Sequence, residues 1–139
     1  MIEEAFIQVY TKFKLHFYKS LFEKIQQRET SLTTVETYCI EIIHAMGKPT
    51  IGEFASFIQI SSPNAAYKVN SLIKKGYVRK VQSEDDKREY HLEVTDKYFD
   101  HYNMNAVYVR QVTERMRERF SKEELEILLK ESKRQAVKA

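Results

Sequence analysis

Four His, one Cys and 20 Asp and Glu are the side chains of this 139-residue chain suited to acid–base, redox or metal chemistry. Their spacing is poor for all three. Glu41 and His44 share a helical face, and His91 and Glu93 share a strand face, so two-ligand fragments exist. A bound metal needs three or four converging ligands, and none converge in the sequence. His16 falls on the margin of an apolar helix face and His44 near a helix end, where structural or surface roles suit them. A lone Cys excludes an internal disulfide framework and a multi-thiolate zinc site, and it fits a reducing compartment. Cys39 sits on an apolar face with no cation near it in sequence, which is the setting of an inert buried thiol. There is no G-x-S-x-G, no Gly-rich phosphate loop and no H-E-x-x-H. We therefore expect no enzyme, no metal and no cofactor.

The chemistry that remains is phosphate and base recognition. From Phe54 to Ser83 no residue is acidic, while Lys68, Lys74, Lys75, Arg79 and Lys80 are basic. A surface that neutralises phosphates needs such one-sided charge. The same lysines also suit a solvated helix end, where the dipole favours cations. If Ala65, Val69 and Leu72 face inward on a helix, 100° per residue turns Pro63, Tyr67, Asn70 and Lys74 outward, flanked by Asn64, Ala66 and Ser71. Ser61, Ser62 and Asn64 stand at the N-terminus, where hydroxyls and backbone N–H groups meet phosphates. Asn64 and Asn70 suit adenine edges, and Tyr67 suits a thymine methyl or a phosphate. Lys68 adds charge on the same helix. Farther on, Lys87 and Arg88 occupy a polar tip from which an Arg can enter a minor groove. Asp86 reads as its brace; the bland alternative is a polar hairpin turn.

These residues need elements to hold them, and the helix breakers mark where the elements change. All three Gly and both Pro lie between residues 47 and 76. Residues 2–28 carry Ile2, Phe6, Val9, Phe13, Phe17, Leu21 and Ile25 in steps of three and four, a helix of about 40 Å. Thr33 and Glu36 form a capping box that opens a second helix, with Val35, Cys39, Ile42, Ile43 and Met46 inward and Gly47 as its stop. Thr50 and Glu53 repeat the box for a short helix facing inward with Ile51, Phe54, Ala55 and Ile58. After the turn Gln59-Ile60-Ser61, Ser61-Ser62-Pro63 starts a helix whose face is Ala65, Val69, Leu72 and Ile73, ended by Gly76. That is the shape of a helix-turn-helix. The period then changes to two: YVRKVQS and the alternation Tyr90, Leu92, Val94 flank the tip Glu84–Arg88, predicting a β-hairpin wing. Thr95 or Asp96 caps a helix with a three-and-four seam of Phe99, Tyr102, Ala106, Val109, Thr113, Met116 and Phe120. Ser121 and Glu124 open a last helix, with Leu125, Leu128 and Leu129 inward, fraying into KRQAVKA.

The composition, 42% apolar and 31% charged, supports a folded domain. The net charge of +3 decides little. No stretch approaches the roughly 18 uninterrupted apolar residues of a membrane span, and the N-terminus reads as neither signal nor transit peptide. The expected fold is mainly α with a small β-hairpin wing: one domain over 1–139, with a winged helix-turn-helix lobe at 31–95 and dimerisation helices at 1–30 and 96–139.

The order helix, helix, helix-turn-helix, hairpin, two long helices resembles the MarR family of winged-helix transcriptional regulators. The segments that carry the resemblance are LTTVETYCIEIIHAMG, TIGEFASFIQISSPNAAYKVNSLIKKGYV and SEDDKREYHLEVT, the last with the family's D-x-R at Asp86-Lys87-Arg88. The chain departs from the family in mid-recognition helix, where Ala66-Tyr67 replace a frequent Thr-Arg pair, so base readout is not carried over. The resemblance implies a cytoplasmic homodimer binding double-stranded DNA at an inverted-repeat operator, and repression relieved by a small effector. Placed by helix face, Phe13, His16, Phe17, Tyr38 and Ile42 would line the effector site. An alternative of another class is a winged-helix module that meets a protein or an RNA.

Overall fold

In the computed structural model, residues 1–27, 32–102 and 104–138 are described. The expected first-helix end at residue 28 lies outside them, as do residues 29–31 and the Tyr102 side chain of the seam. Two compact units form, Met1–Asn103 and Met104–Ala139.

In the first unit, α1 spans Ile2–Gln27, α2 Thr34–Met46, α3 Ile51–Ile58 and α4 Ser62–Lys74. Local chemistry fixes the ends. The Thr33 hydroxyl accepts from Glu36 N at 3.1 Å to start α2, and Gly47 ends it at φ +70°, a left-handed conformation that suits Gly. The α3 box closes in both directions between Thr50 and Glu53. Ser61 caps α4 and Pro63 sits in its first turn, where no helical N–H is needed. Between α3 and α4, Gln59 adopts φ +58°. A non-Gly residue there costs about 1 kcal/mol, offset by its N–H bonding back to Ser56 O at 3.3 Å.

Strands β1, Val78–Gln82, and β2, Tyr90–Val94, pair antiparallel with Val78 opposite Val94 and Gln82 opposite Tyr90. An isolated bridge, Thr50 to His91, ties the hairpin to the start of α3. Helix α5, Asp96–Tyr102, follows. The core gathers Ile40 and Ile43 from α2, Phe54 from α3, Val69 and Leu72 from α4, and Leu92 from β2. Each such aliphatic or aromatic side chain stabilises the fold by roughly 1.5–3 kcal/mol.

Several expectations change. The buried stripe of α2 is Glu36, Thr37, Cys39, Ile40 and Ile43, and Val35 is exposed. Hydrophobicity alone misplaced it, because two polar residues lie on the true inward face. The Thr33–Glu36 box closes in one direction, since the Glu36 carboxylate turns to α4 instead. Thr95 does not cap α5 through its hydroxyl; that group donates to Gly76 O at 2.6 Å. Tyr98, absent from the expected seam, is fully buried.

The second unit contains α6, Met104–Arg119, and α7, Lys122–Lys138. The helix expected as one piece through residue 120 is thus described as α5 and α6 on either side of residue 103. Ser121 and Glu124 close the third box, at 2.9 and 3.2 Å. The expected fraying does not occur: α7 continues through the basic tail to Lys138, as its Lys, Arg, Gln and Ala favour helix. Leu125, Leu128 and Leu129, expected inward, are not buried; Leu125 is half-buried and the other two are exposed.

Candidate nucleic-acid interface

Helix α4 is pinned on one side by Ala65, Val69 and Leu72, each fully buried. That fixes what the opposite side offers. Pro63, Asn64, Tyr67, Asn70 and Lys74 are all exposed there, as are the capping residues Ser61 and Ser62. Tyr67 is 77% exposed, an unusual place for a phenol unless something meets it. Tyr67, Asn70, Ser71, Ile73 and Lys74 line a concavity of about 500 Å³. The helix thus presents hydroxyl, amide, phenol and ammonium groups along one edge, with no carboxylate between them.

Two of the candidate side chains are drawn inward. Lys68 is half-buried and lies near enough to Cys39 to oppose the rise in its thiol pKa. Burial still dominates, so the thiol titrates above its ordinary range. That cation was invisible in sequence because it comes from α4. Ser71 donates its hydroxyl to Glu36 Oε2 at 3.3 Å, which orients it toward α2. Of the basic run, Lys75 is bound by Glu36 at 2.9 Å and Arg79 by Glu93 at 2.9 Å. The carboxylates missing from residues 54–83 are supplied by α2 and β2. Lys48 also pairs with Glu93, at 3.1 Å, and these two cations, Lys48 first, hold that carboxyl below its usual range.

The wing tip is ordered by its own side chains. Asp86 Oδ1 accepts from Arg88 N at 3.0 Å and from Arg88 Nε at 3.3 Å. Gln82 Nε2 donates to Lys87 O at 2.7 Å, and Ser83 N donates to Glu89 O at 2.9 Å. Asp86 therefore braces the tip, while the Arg88 side chain is 92% exposed and Lys87 is exposed. Sequence reasoning missed Gln82, whose opposite partner Tyr90 becomes apparent only from strand register.

Elsewhere the arrangement offers less. Phe13, His16, Phe17 and Ile42 are half-buried and Tyr38 is exposed; none lines a described cavity. His44 packs its ring against Tyr98 at 4.9 Å and Phe99 at 5.4 Å. Glu41 accepts from the Tyr98 hydroxyl at 3.1 Å. Burial pushes its carboxyl up to about 7 against that bond. Among the described residues, no three His, Cys, Asp or Glu side chains gather where a metal ion could bind. No helix among them is long and apolar enough to cross a membrane.

A helix-turn-helix with a braced hairpin directly behind it is a winged helix. Residues 32–90 match the model of the MarR family. No curated protein matches the sequence. Among solved structures, Streptococcus pneumoniae FabT in complex with DNA is similar at 20% identity and a TM-score of 0.55, over 97% of this chain and 92% of FabT. A MepR mutant from a multidrug-resistant S. aureus clinical isolate aligns at 13% identity and TM-score 0.64, over 99% and 96%. The transcriptional regulator Tm0710 of Thermotoga maritima aligns at 18% and 0.57, over 97% and 91%. At such identities the likeness establishes the fold.

Proposed function

We propose that this protein is a sequence-specific double-stranded DNA-binding transcriptional regulator that acts as a homodimer on an inverted repeat. The observation that carries the reading is the outer edge of α4, where Ser61, Asn64, Tyr67, Asn70 and Lys74 stand exposed on a helix locked from behind. Hydroxyls and backbone N–H groups at its start fit phosphates, and the amides and phenol farther along fit base edges. Arg88 at the braced tip fits the adjacent minor groove. The DNA complex of similarly folded FabT supports the same assignment.

Pairing is supported by exposed apolar residues outside the winged lobe, such as Phe6 and Ile127. A two-fold axis would set two α4 helices about 34 Å apart, one turn of duplex. Repression relieved by a small effector completes the reading, with Phe13, His16, Phe17, Tyr38 and Ile42 as the effector-lining set.

The test is selection of bound fragments from genomic DNA, followed by titration of the selected duplex at several salt concentrations. An inverted repeat and a steep fall in affinity with salt are expected. Equal affinity for every duplex, or preference for RNA, would overturn the assignment.

A further inference from the structure

Three Ser/Thr-x-x-Glu sequences open helices in this chain, and two of them close. Glu53 and Glu124 reach back to the N–H of Thr50 and Ser121, at 3.2 and 2.9 Å. Glu36 stands at the same position of α2 but sends its carboxylate across to α4. Its Oε1 and Oε2 accept from Lys75 Nζ at 3.0 and 2.9 Å, and Oε2 also accepts from the Ser71 hydroxyl at 3.3 Å. The Thr33 hydroxyl donates to Oε1 at 3.2 Å and steadies the carboxylate from behind. Glu36 is buried, and the Lys75 side chain is three-quarters covered. A charged hydrogen bond so placed is stronger and more directional than a surface pair.

The two anchored residues lie one turn apart, beside Asn70 and Lys74 on the outer edge. Apolar packing by Ala65, Val69 and Leu72 holds α4 against the lobe, but packing is weakly directional about the helix axis. Two ties to one carboxylate fix that rotation. They also match the Lys75 charge with a buried anion, removing it from the cations that α4 offers to phosphates.

We propose that Glu36 is a positioning residue of the interface. It sets the rotation at which α4 presents Tyr67, Asn70 and Lys74, and it withholds Lys75 from the duplex. The inference rests on the duplex-DNA reading above. Sequence discrimination then depends on a carboxylate that touches no DNA, because base contacts require placement within about 0.5 Å. Phosphate contacts are less demanding, so general affinity does not depend on it.

The experiment compares affinity for the selected duplex and for a scrambled duplex of equal length, across salt, in the wild type, Glu36→Gln, Lys75→Met and Ser71→Ala. Gln keeps the shape but has no charge to fix an ammonium. Glu36→Gln should lower the selected-to-scrambled ratio about tenfold, the scale of one good base contact. Its binding to scrambled DNA should hold or tighten, with a salt slope steeper by about one phosphate contact. Lys75→Met should lower the ratio without steepening the slope. Ser71→Ala, which cuts one tie and keeps the ion pair, should lower it about two- to threefold; this variant decides the matter if Glu36→Gln does not fold. A folded Glu36→Gln with the wild-type ratio and slope overturns the proposal, even if it melts at a lower temperature. A wild type that does not discriminate between duplexes overturns the DNA reading as well, and is recognised because the wild type itself then fails.

Discussion

In the winged lobe, Ile40, Phe54, Ala65, Val69, Leu72 and Leu92 are shut off from solvent. In α1 and α7, Phe6 is 70% exposed and Ile127 69%. The lobe places apolar residues where its own helices and hairpin cover them. The flanking helices carry an equally apolar pattern with much of it uncovered, including Ile2, Ile7, Val107 and Leu129. Scattered exposed apolar side chains are ordinary, but contiguous helical stripes of them mark surfaces that another molecule covers. The core of the lobe is thus covered within one chain, while the flanks leave apolar side chains exposed, which is what the proposed homodimer would cover. If that is the division of labour, damage to each region should fail in a different way.

The largest effect is expected in the flanks. Val109→Glu replaces a seam residue of α6 that is already 42% exposed, so an isolated chain should tolerate it with little change. In a symmetric pair the charge enters the interface twice. The dissociation constant should rise at least about a thousandfold, roughly 4 kcal/mol. Sedimentation at micromolar concentration checks this, and an unaltered mass would erase the contrast between the regions.

Next comes the lobe. Phe54→Ala empties a fully buried position and should cost about 3–5 kcal/mol in urea unfolding. The folded fraction should keep the wild-type oligomeric state. Dissociation at low denaturant without loss of lobe structure would mean that the two regions are not separable as described.

The same contrast explains what was legible in the sequence. Helix starts were, because Thr50-x-x-Glu53 and Ser121-x-x-Glu124 act within four residues. The hairpin was, because Leu92 and Val94 alternate and the Asp86–Arg88 brace is two residues long. The pairing of Lys75 with Glu36 and of Tyr98 with Glu41 was not, since each joins groups far apart in the chain. Of the basic run, Lys74 kept its outward place, but Lys75 and Arg79 were neutralised by carboxylates that local charge counting cannot see.

A smaller effect sharpens the comparison at the wing. Arg88→Ala removes a side chain whose one described bond within the chain is to Asp86, at 3.3 Å. Stability and assembly should stay within about 0.5 kcal/mol, whereas affinity for the selected duplex should fall by about 1–3 kcal/mol. Unchanged affinity at moderate salt would remove Arg88 from the interface.

The smallest effect is a titration at the edge of the lobe, where Glu41 meets Tyr98 of α5. Burial raises the Glu41 carboxyl from 4.5 to about 7, and the Tyr98 hydroxyl opposes this by bonding to the ionised form. One carboxylate oxygen is buried without a hydrogen-bond partner among the described residues. Below about 4.5 the folded and unfolded chains both hold the proton. Between 4.5 and 7 the unfolded chain has released it while the folded chain keeps it, so this contribution to stability is lost as pH rises through that window. Partial solvation reduces the loss to about 1–2 kcal/mol. Glu41→Gln should flatten this part of the pH–stability curve, and Tyr98→Phe, which removes the bond favouring charge, should move the titration upward. Chemical unfolding at pH 5 and pH 8 measures both. If Glu41→Gln retains the wild-type slope, the titrating group lies elsewhere, and the edge of the lobe is as insensitive to protonation as its apolar centre.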